Sequence, residues 1–343
     1  MDADIVIAGA GLAGACAALA LSKSHRVLVL EDGRPGASHA AAGLVNPFLG
    51  RKAKRAWRAS DAVAEVARLG TEAGAPVALT GLLRPARDAA QAQVFRDRAA
   101  EHPAALDWLP AEASRERYPD VRAEHGALWG REGGHVEIPA LVSAVLAEAK
   151  RRGTEVVRGR LDVWHDNFAI TDQGRIQAER LLLCTGDGTR SLAPSLPLHR
   201  VKGQTVRFRL ATDLSIPPVS GGTYVVPVTP REVVVGATFE HTFDSLAPTA
   251  EATEHLRERA ASVVPALTEA EVVDARAGVR LTVPASVRPG RLPLVGPVAP
   301  GVWVFTGLGA KGLLTAPLLA RHLPGWWDAP QSIWPEVSTL GLG

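Results

Sequence analysis

The sequence predicts an α/β protein: a Rossmann-like, largely parallel sheet joined to an α+β part built on an antiparallel sheet. Three observations predict this. First, the apolar run 5–8 enters Gly9-Ala10-Gly11-Leu12-Ala13-Gly14, an Ala/Leu-rich helical run and a second apolar strand at 27–30. Second, two later apolar runs, 181–184 and 302–305, also end in glycine turns, at Gly186 and Gly307. Runs that are apolar throughout mark strands buried on both faces, as in a parallel sheet. Third, Val206, Phe208 and Leu210 alternate with Thr205, Arg207 and Arg209, so the strand there has one wet face.

Taken in order, the first turn carries the most information. Gly9 permits the tight turn, Gly11 lets backbone approach a pyrophosphate, and Gly14 lets helix and strand pack closely. The phosphates then meet free N–H groups of Leu12 and Ala13 at a helix N-terminus, where the dipole favours negative charge. Glu31 and Asp32 close the second strand about 20 residues on, where a carboxylate accepts ribose hydroxyl hydrogen bonds. Together these predict a dinucleotide site. The small residues between Gly33 and Leu44, among them Ser38, Ala42 and Gly43, allow backbone to lie close to a ligand. A basic stretch with Arg51, Lys52, Lys54, Arg55 and Arg58 leads into a helical pattern ending near Gly70. Residues 76–132 mix Pro, Gly and charge and read as irregular, a cap on the substrate side. Pro139 opens a helix over 140–152, stopped by Gly153. Short strand patterns over 155–176 suggest a small antiparallel ribbon. Residues 224–227 and 232–238 form a hairpin around Thr229-Pro230-Arg231; a helix spans roughly 250–264 and strands follow near 272–283. Trp326, Trp327 and Trp334 in the tail read as packing residues.

Composition narrows the function classes. At 343 residues the chain is long enough for two joined domains. The two charge-free stretches that reach 18 residues, 5–22 and 292–310, are broken by glycine turns or prolines, so no membrane span is expected. The first strand begins at the fourth or fifth residue, leaving no room for a targeting segment, which predicts a cytoplasmic protein. Cys16 and Cys184, the only cysteines, sit in apolar sequence and suggest neither a disulfide framework nor a metal site. A net charge of +2 does not demand a nucleic-acid or membrane partner. Three strands ending in glycine turns line one crevice at the carboxyl edge of a parallel sheet. The first turn holds a pyrophosphate. The last, Thr306-Gly307-Leu308-Gly309-Ala310-Lys311-Gly312, aims a helix start at another electron-rich group. The N1–C2=O region of a flavin becomes anionic on reduction, so this arrangement suits a flavin better than a nicotinamide.

These motifs resemble the D-amino-acid oxidase/glycine oxidase superfamily of FAD-dependent amine oxidoreductases. The resemblance covers nearly the whole chain. It rests on the first glycine turn with Glu31, on residues 38–44, on Gly134-His135-Val136-Glu137-Ile138-Pro139 and on Leu183-Cys184-Thr185-Gly186. Further on it rests on Val201-Lys202-Gly203-Gln204, Tyr224-Val225-Val226-Pro227, Val235-Gly236-Ala237-Thr238, Gly278-Val279-Arg280, Leu292-Pro293-Leu294-Val295-Gly296 and the turn from Gly307 to Leu313. The Ala40-Ala41-Ala42-Gly43-Leu44 run and Tyr224 look like glycine oxidase; the last turn looks more like the FAD domain of the bifunctional enzyme that modifies tRNA wobble uridine to its methylaminomethyl form. The resemblance implies a glutathione-reductase-type FAD-binding domain assembled from residues 1–80, 133–200 and 285–343, and a substrate-binding domain from 81–132 and 201–284. It implies FAD held non-covalently, with contacts from Gly9, Gly11, Leu12, Ala13, Gly14, Glu31, Asp32, Ser38, Ala42, Gly43, Leu44, Thr185, Gly186, Gly307, Leu308, Gly309, Lys311, Gly312 and Leu313, and with the adenine near Leu161. It places Arg280 and Tyr224 on the substrate carboxylate and makes Lys311 a further catalytic candidate. There are departures: Val228 stands where an arginine often follows Y-x-x-P, Gly290 and Arg291 replace the acidic residue usual before L-P-x-x-G, and Lys311 stands where arginine is common in the last turn.

From the residues alone, Arg280 is also consistent with a solvated strand residue or a structural ion pair, and Tyr224 with a half-buried strand aromatic. Lys311 is consistent with a solvent-facing side chain whose backbone N–H contacts the flavin, and His135 is given no catalytic role. The resulting expectation is oxidation of a small amino acid or N-substituted glycine, with hydride leaving the carbon beside nitrogen for flavin N5 and dioxygen a candidate electron acceptor. The alternative is removal of carboxymethyl from a carboxymethylaminomethyl uridine in tRNA, with the basic stretch on the phosphates.

Overall fold

The computed structural model describes residues 2–342. Two eight-stranded sheets organise it. In the first, Glu155–Arg158, Val27–Glu31, Asp2–Ala8, the end of Gly174–Leu183 and Val302–Thr306 lie side by side and parallel. Ile5, Val6, Ile7, Val29 and Leu182 are fully buried, as their unbroken apolar sequence requires. Helices Leu12–Leu21, Ile138–Arg151 and Gly312–Asp328 cover one face and share its core. The first of these, Leu-Ala-Gly-Ala-Cys-Ala-Ala-Leu-Ala-Leu, is buried nearly all round because it is enclosed by the sheet and its two neighbours.

The second sheet runs in the order Glu271–Thr282, His199–Arg209, Glu232–Gly236, Tyr224–Thr229, Val219–Ser220, Leu82–Pro85, Ala127–Gly130, Leu106–Leu109. It is antiparallel except where Val219–Ser220 meets Leu82–Pro85. Its period-2 pattern sends Val206, Phe208, Val225, Val233 and Val235 to one face, against Leu256 and Ala260 of helix Ala250–Ala261. Gln204 pins that helix: its side chain donates to the Thr249 carbonyl (3.0 Å) and Thr253 Oγ1 (2.8 Å) and accepts from the Thr249 N–H (2.7 Å). A buried amide must be satisfied in this way, so the pairing fixes the helix start.

Two expectations are corrected. Residues 76–132 are not irregular: they supply three strands of the second sheet and helices Ala89–Glu101 and Ala111–Arg117. Each strand is only four residues long, too short to show a period, and Leu82–Pro85 and Ala127–Gly130 are buried throughout. Residues 155–176 are not one ribbon. Glu155–Arg158 joins the parallel sheet beside Val27–Glu31, and only Leu161–His165 and Phe168–Thr171 form the antiparallel piece, on Gly174–Leu183.

Candidate active site

The ends of three buried strands come together. Ala8 pairs with Leu183, and Leu183 with Val304, so the turns at Gly9, Gly186 and Gly307 stand along one sheet edge. Gly9 has φ +106°, and a Cβ on it would lie 2.4 Å from the Cys184 carbonyl oxygen. A Cβ on Gly14 would lie 1.8 Å from the Gly9 carbonyl oxygen. Neither position tolerates a side chain, which is why the turn hugs the strand end. The helix that follows begins at Leu12 without a side-chain cap on its N-cap residue, Gly11, and has no acid in its first turn. The Leu12 N–H is taken by Ser38 Oγ at 3.0 Å, so it is not free for phosphate; the helix start is presented by Ala13 and Gly14. Glu31 stands exposed at the end of Val27–Glu31, whereas the Asp32 carboxylate is engaged by the Arg34 N–H (2.9 Å) and Nε (2.8 Å). Leu161 packs in the apolar cluster with Leu30 and Leu183 beneath this edge.

The stretch 38–45 crosses between the sheets. Gly43 has φ +77°, and a Cβ there would be 1.7 Å from the Val136 carbonyl oxygen. Leu44 and Val45 pair with His135 and Gly134, so the Gly-His-Val-Glu motif is a short strand that fixes residues 43–45. On the other side Thr205 Oγ1 donates to the Ala40 carbonyl (3.1 Å), and Gly278 leaves room for Ala37, whose Cα would be 2.8 Å from a Cβ there. The antiparallel sheet is thereby held against the segment that also borders the first sheet's carboxyl edge. Ala42 is buried there. Thr185 Oγ1 bonds Thr189 Oγ1 (3.0 Å), and Gly186 has φ +55° with open space around it.

At the last turn Gly307 and Gly309 have φ +72° and +54°. The Lys311 N–H donates to the Leu308 carbonyl (3.1 Å), so this amide closes the turn and is not available to a flavin. Helix Gly312–Asp328 begins there with no side-chain cap and no acid in its first turn, leaving Gly312 and Leu313 at an open helix start. The Lys311 ammonium donates to the Gly290 carbonyl, and burial together with nearby Arg291 lowers its pKa. No ion pair or hydrogen bond joins it to Arg280 or Tyr224.

Arg280 and Tyr224 do come together, from strands that are not neighbours. Pairing puts Arg280 opposite Val201, and Tyr224 opposite Gly236, which stands opposite Thr205. Both side chains lie on the sheet face turned away from the valine core and converge over two glycines. A Cβ on Gly203 would be 2.5 Å from Arg280 Nη2, and one on Gly236 would be 3.0 Å from Tyr224 Cε2. The glycines of Lys-Gly-Gln and Val-Gly-Ala-Thr are therefore the floor of this site. Arg280 Nη2 donates to the Thr238 carbonyl (3.0 Å), and the Phe239 ring lies over its guanidinium at 4.5 Å. Among the described residues no carboxylate pairs with Arg280. Burial accordingly lowers its pKa, with Tyr224 acting in the opposite direction. Burial pushes the Tyr224 hydroxyl up to about 12, with Arg280 working against it, so the phenol stays neutral and donates. Phe239, 61% exposed, was not legible in the sequence as a site residue; its only signal is its place directly after Val-Gly-Ala-Thr. Further along the same sheet face a cavity of about 220 Å³ is lined by Ala42, His135, Arg207, Val226, Val228 and Val234, among others.

The family model described as DAO, FAD dependent oxidoreductase, matches residues 4–324. The chain belongs to this family. Glycine oxidase of Pseudomonas aeruginosa is 29% identical over 94% of both chains. The tRNA 5-methylaminomethyl-2-thiouridine biosynthesis bifunctional protein MnmC of Polaromonas is 31% identical over 93% of this chain but 55% of its own length. The crystal structure of glycine oxidase from Geobacillus kaustophilus superposes with a TM-score of 0.83 over 95% of this chain and 94% of that one, at 24% identity, which shows the shared fold. The cofactor of this family is FAD, and the structure fits it: the cradle at Gly9 and Gly14 admits no Cβ, two uncapped helix starts face the strand ends, and Glu31 is free beside them. Among the described residues no helix is long and apolar enough to cross a membrane, and no cluster of metal-binding side chains exists.

Proposed function

We propose that the protein oxidises a small carboxylated amine, an amino acid or N-substituted glycine, with dioxygen as a candidate electron acceptor. The observation that carries this is the half-buried Arg280 guanidinium, without a carboxylate of its own, beside a neutral phenol. A buried charge without a partner is costly, and a substrate carboxylate supplies the missing one. Arginine suits this because its fork presents two parallel donors and stays charged. Nη2 is held by Thr238, which orients the plane, and the Tyr224 hydroxyl adds a second donor. Glycine oxidases are among the relatives, in line with a carboxylated amine. FAD held at the Gly9, Gly186 and Gly307 turns would supply two-electron oxidation of the bond between the amine nitrogen and its neighbouring carbon, and the imine product would be hydrolysed by water. The protein's contribution is orientation: a carboxylate fixed over Gly203 and Gly236 sets the position of the carbon next to the amine nitrogen. No general base is needed when the amine arrives deprotonated. Contacts to FAD from the residues at the three strand ends, and the division of the chain into FAD-binding and substrate-binding segments, belong to the same proposal.

The tRNA alternative rests on the basic stretch, and the structure narrows that stretch. Arg55 donates to Ser60 Oγ and pairs with Glu132 at 3.6 Å, and Arg58 lies on the Trp334 ring at 3.8 Å. Buried Arg84 holds the preceding turn through the Phe48 and Gly50 carbonyls. Arg51, Lys52 and Lys54 are left for phosphates, and the small-molecule function is preferred. Anaerobic bleaching of the flavin by a panel of amino acids and N-substituted glycines tests it. Bleaching by amines lacking a carboxylate, and by none that carry one, would defeat it.

A further inference from the structure

The cavity beside the Arg280–Tyr224 pair is not needed to hold glycine. It lies on the same face of the antiparallel sheet. Along Glu271–Thr282 that face presents Arg280, Gly278, Arg276 and Asp274, in rows about 7 Å apart. The row of Tyr224 contains Gly236, Thr205 and Arg276; the next contains Val226, Val234, Arg207 and Asp274. The cavity takes in Thr205 and Arg276 of the first row and all four residues of the second. It therefore begins at the Thr205–Arg276 side of the Tyr224 row and extends away from Arg280, along the Ala41–Ala42 segment and His135.

Its chemistry is specific. The walls are small and aliphatic at Ala42, Val226, Val228 and Val234, and Val228 stands where the resemblance led us to expect an arginine. Both arginines present are already neutralised: Arg207 pairs with Glu137 at 3.2 Å and Arg276 with Asp274 at 2.5 Å. The cavity therefore offers no free cation to an anionic group. Among the described residues that line it, one buried polar atom is unspent: His135 Nδ1 has no hydrogen-bond partner. Burial also lowers the pKa of His135, so the ring is a neutral donor and acceptor. At about 30 Å³ per water-sized unit, 220 Å³ holds roughly seven heavy atoms.

We propose that this cavity takes an uncharged aliphatic arm on the substrate amine, so that the preferred substrate is a carboxylated amine with an arm of several atoms ending in a hydrogen-bonding group that meets His135. This rests on the proposed function, since the carboxylate must sit at Arg280 and Tyr224 for the arm to reach the cavity.

The experiment measures kcat/KM and the anaerobic bleaching rate for glycine, sarcosine, N-propylglycine, N-butylglycine and N-(4-hydroxybutyl)glycine. Burial of one methylene corresponds to about fourfold, so kcat/KM is expected to rise at least about tenfold from sarcosine to N-butylglycine, and further with the terminal hydroxyl. Val234→Phe, which fills the cavity, is expected to flatten the series by lowering the long-arm substrates more than sarcosine. Flavin content is measured alongside. A series that is flat or falls with arm length, while glycine or sarcosine still bleaches the flavin, overturns the arm site and leaves the proposed function intact. A Val234→Phe variant that slows all substrates equally overturns it too. If no carboxylated amine bleaches the flavin, both proposals fall.

Discussion

Replacing Arg280 with alanine tests the substrate site most directly. The guanidinium is half-buried, oriented through Nη2 by the Thr238 carbonyl, and has Nη1 and Nε without a protein partner. Those donors are the ones a carboxylate uses. A hydrogen bond to a charged group contributes roughly 1.5–3 kcal/mol net, so kcat/KM should fall by roughly 10- to 200-fold at about 1.4 kcal/mol per decade. Folding should not suffer, because the variant removes a desolvated charge that has no counter-ion in the protein. FAD content should be unchanged, because Arg280 lies on the antiparallel sheet and not at the strand-end turns. Arg280→Lys should recover only part of the loss: a lysine keeps the charge but not the planar fork, and its tip does not reproduce the bond to Thr238. The assay is steady-state kinetics on whichever carboxylated amine bleaches the wild-type flavin. An unaltered kcat/KM would refute the reasoning, because the carboxylate would then be held elsewhere or be absent.

Tyr224→Phe should lower kcat/KM about tenfold by removing one donor of roughly 1.5 kcal/mol to a carboxylate. Because burial raises the hydroxyl pKa to about 12, the phenol is neutral below that pH and its donor is lost only above it. Wild type and variant should therefore share one pH profile up to about pH 10; a basic limb unique to wild type below that would contradict the assignment. Phe239→Ala uncovers the Arg280 guanidinium and removes a cation–π contact of about 0.5–1 kcal/mol, so KM should rise roughly two- to fivefold with little change in kcat. FAD should be released by acid precipitation, since both cysteines are buried in the core and burial raises both thiol pKa values, Cys16 to about 12; flavin that stays with the pellet would point to a covalent link. Any binding of tRNA through Arg51, Lys52 and Lys54 should be weak and steeply salt-dependent; tight low-salt binding lost in the triple alanine variant would restore the tRNA alternative.

The sequence by itself determined those features whose physics is local. The first glycine turn was legible because Gly9 and Gly14 meet atoms only a few residues away or at the adjoining strand end, and no other residue type fits there. The parallel strands declared themselves by being apolar on both faces, and the antiparallel strand His199–Arg209 by the period of two at its end, although Thr205, expected on a wet face, is buried against the Ala40 carbonyl and, of the alternating Thr205, Arg207 and Arg209, only Arg209 is exposed. Residues 82–130 were not legible, since strands of four residues carry no measurable period and draw their stability from neighbours far along the chain. Likewise the sequence indicated that Leu12 and Lys311 sit at helix starts. Only the fold decided that the Leu12 amide is spent on Ser38 and that of Lys311 on Leu308. The site itself belongs wholly to tertiary structure. Arg280 and Tyr224 lie on strands separated by two others, and they meet because register aligns Gly203 and Gly236 beneath them. That Arg280 has no carboxylate of its own, and that a cavity opens at the Tyr224 row, depend on which charges and side chains the sheet pairing brings into reach; composition and spacing do not encode these distances.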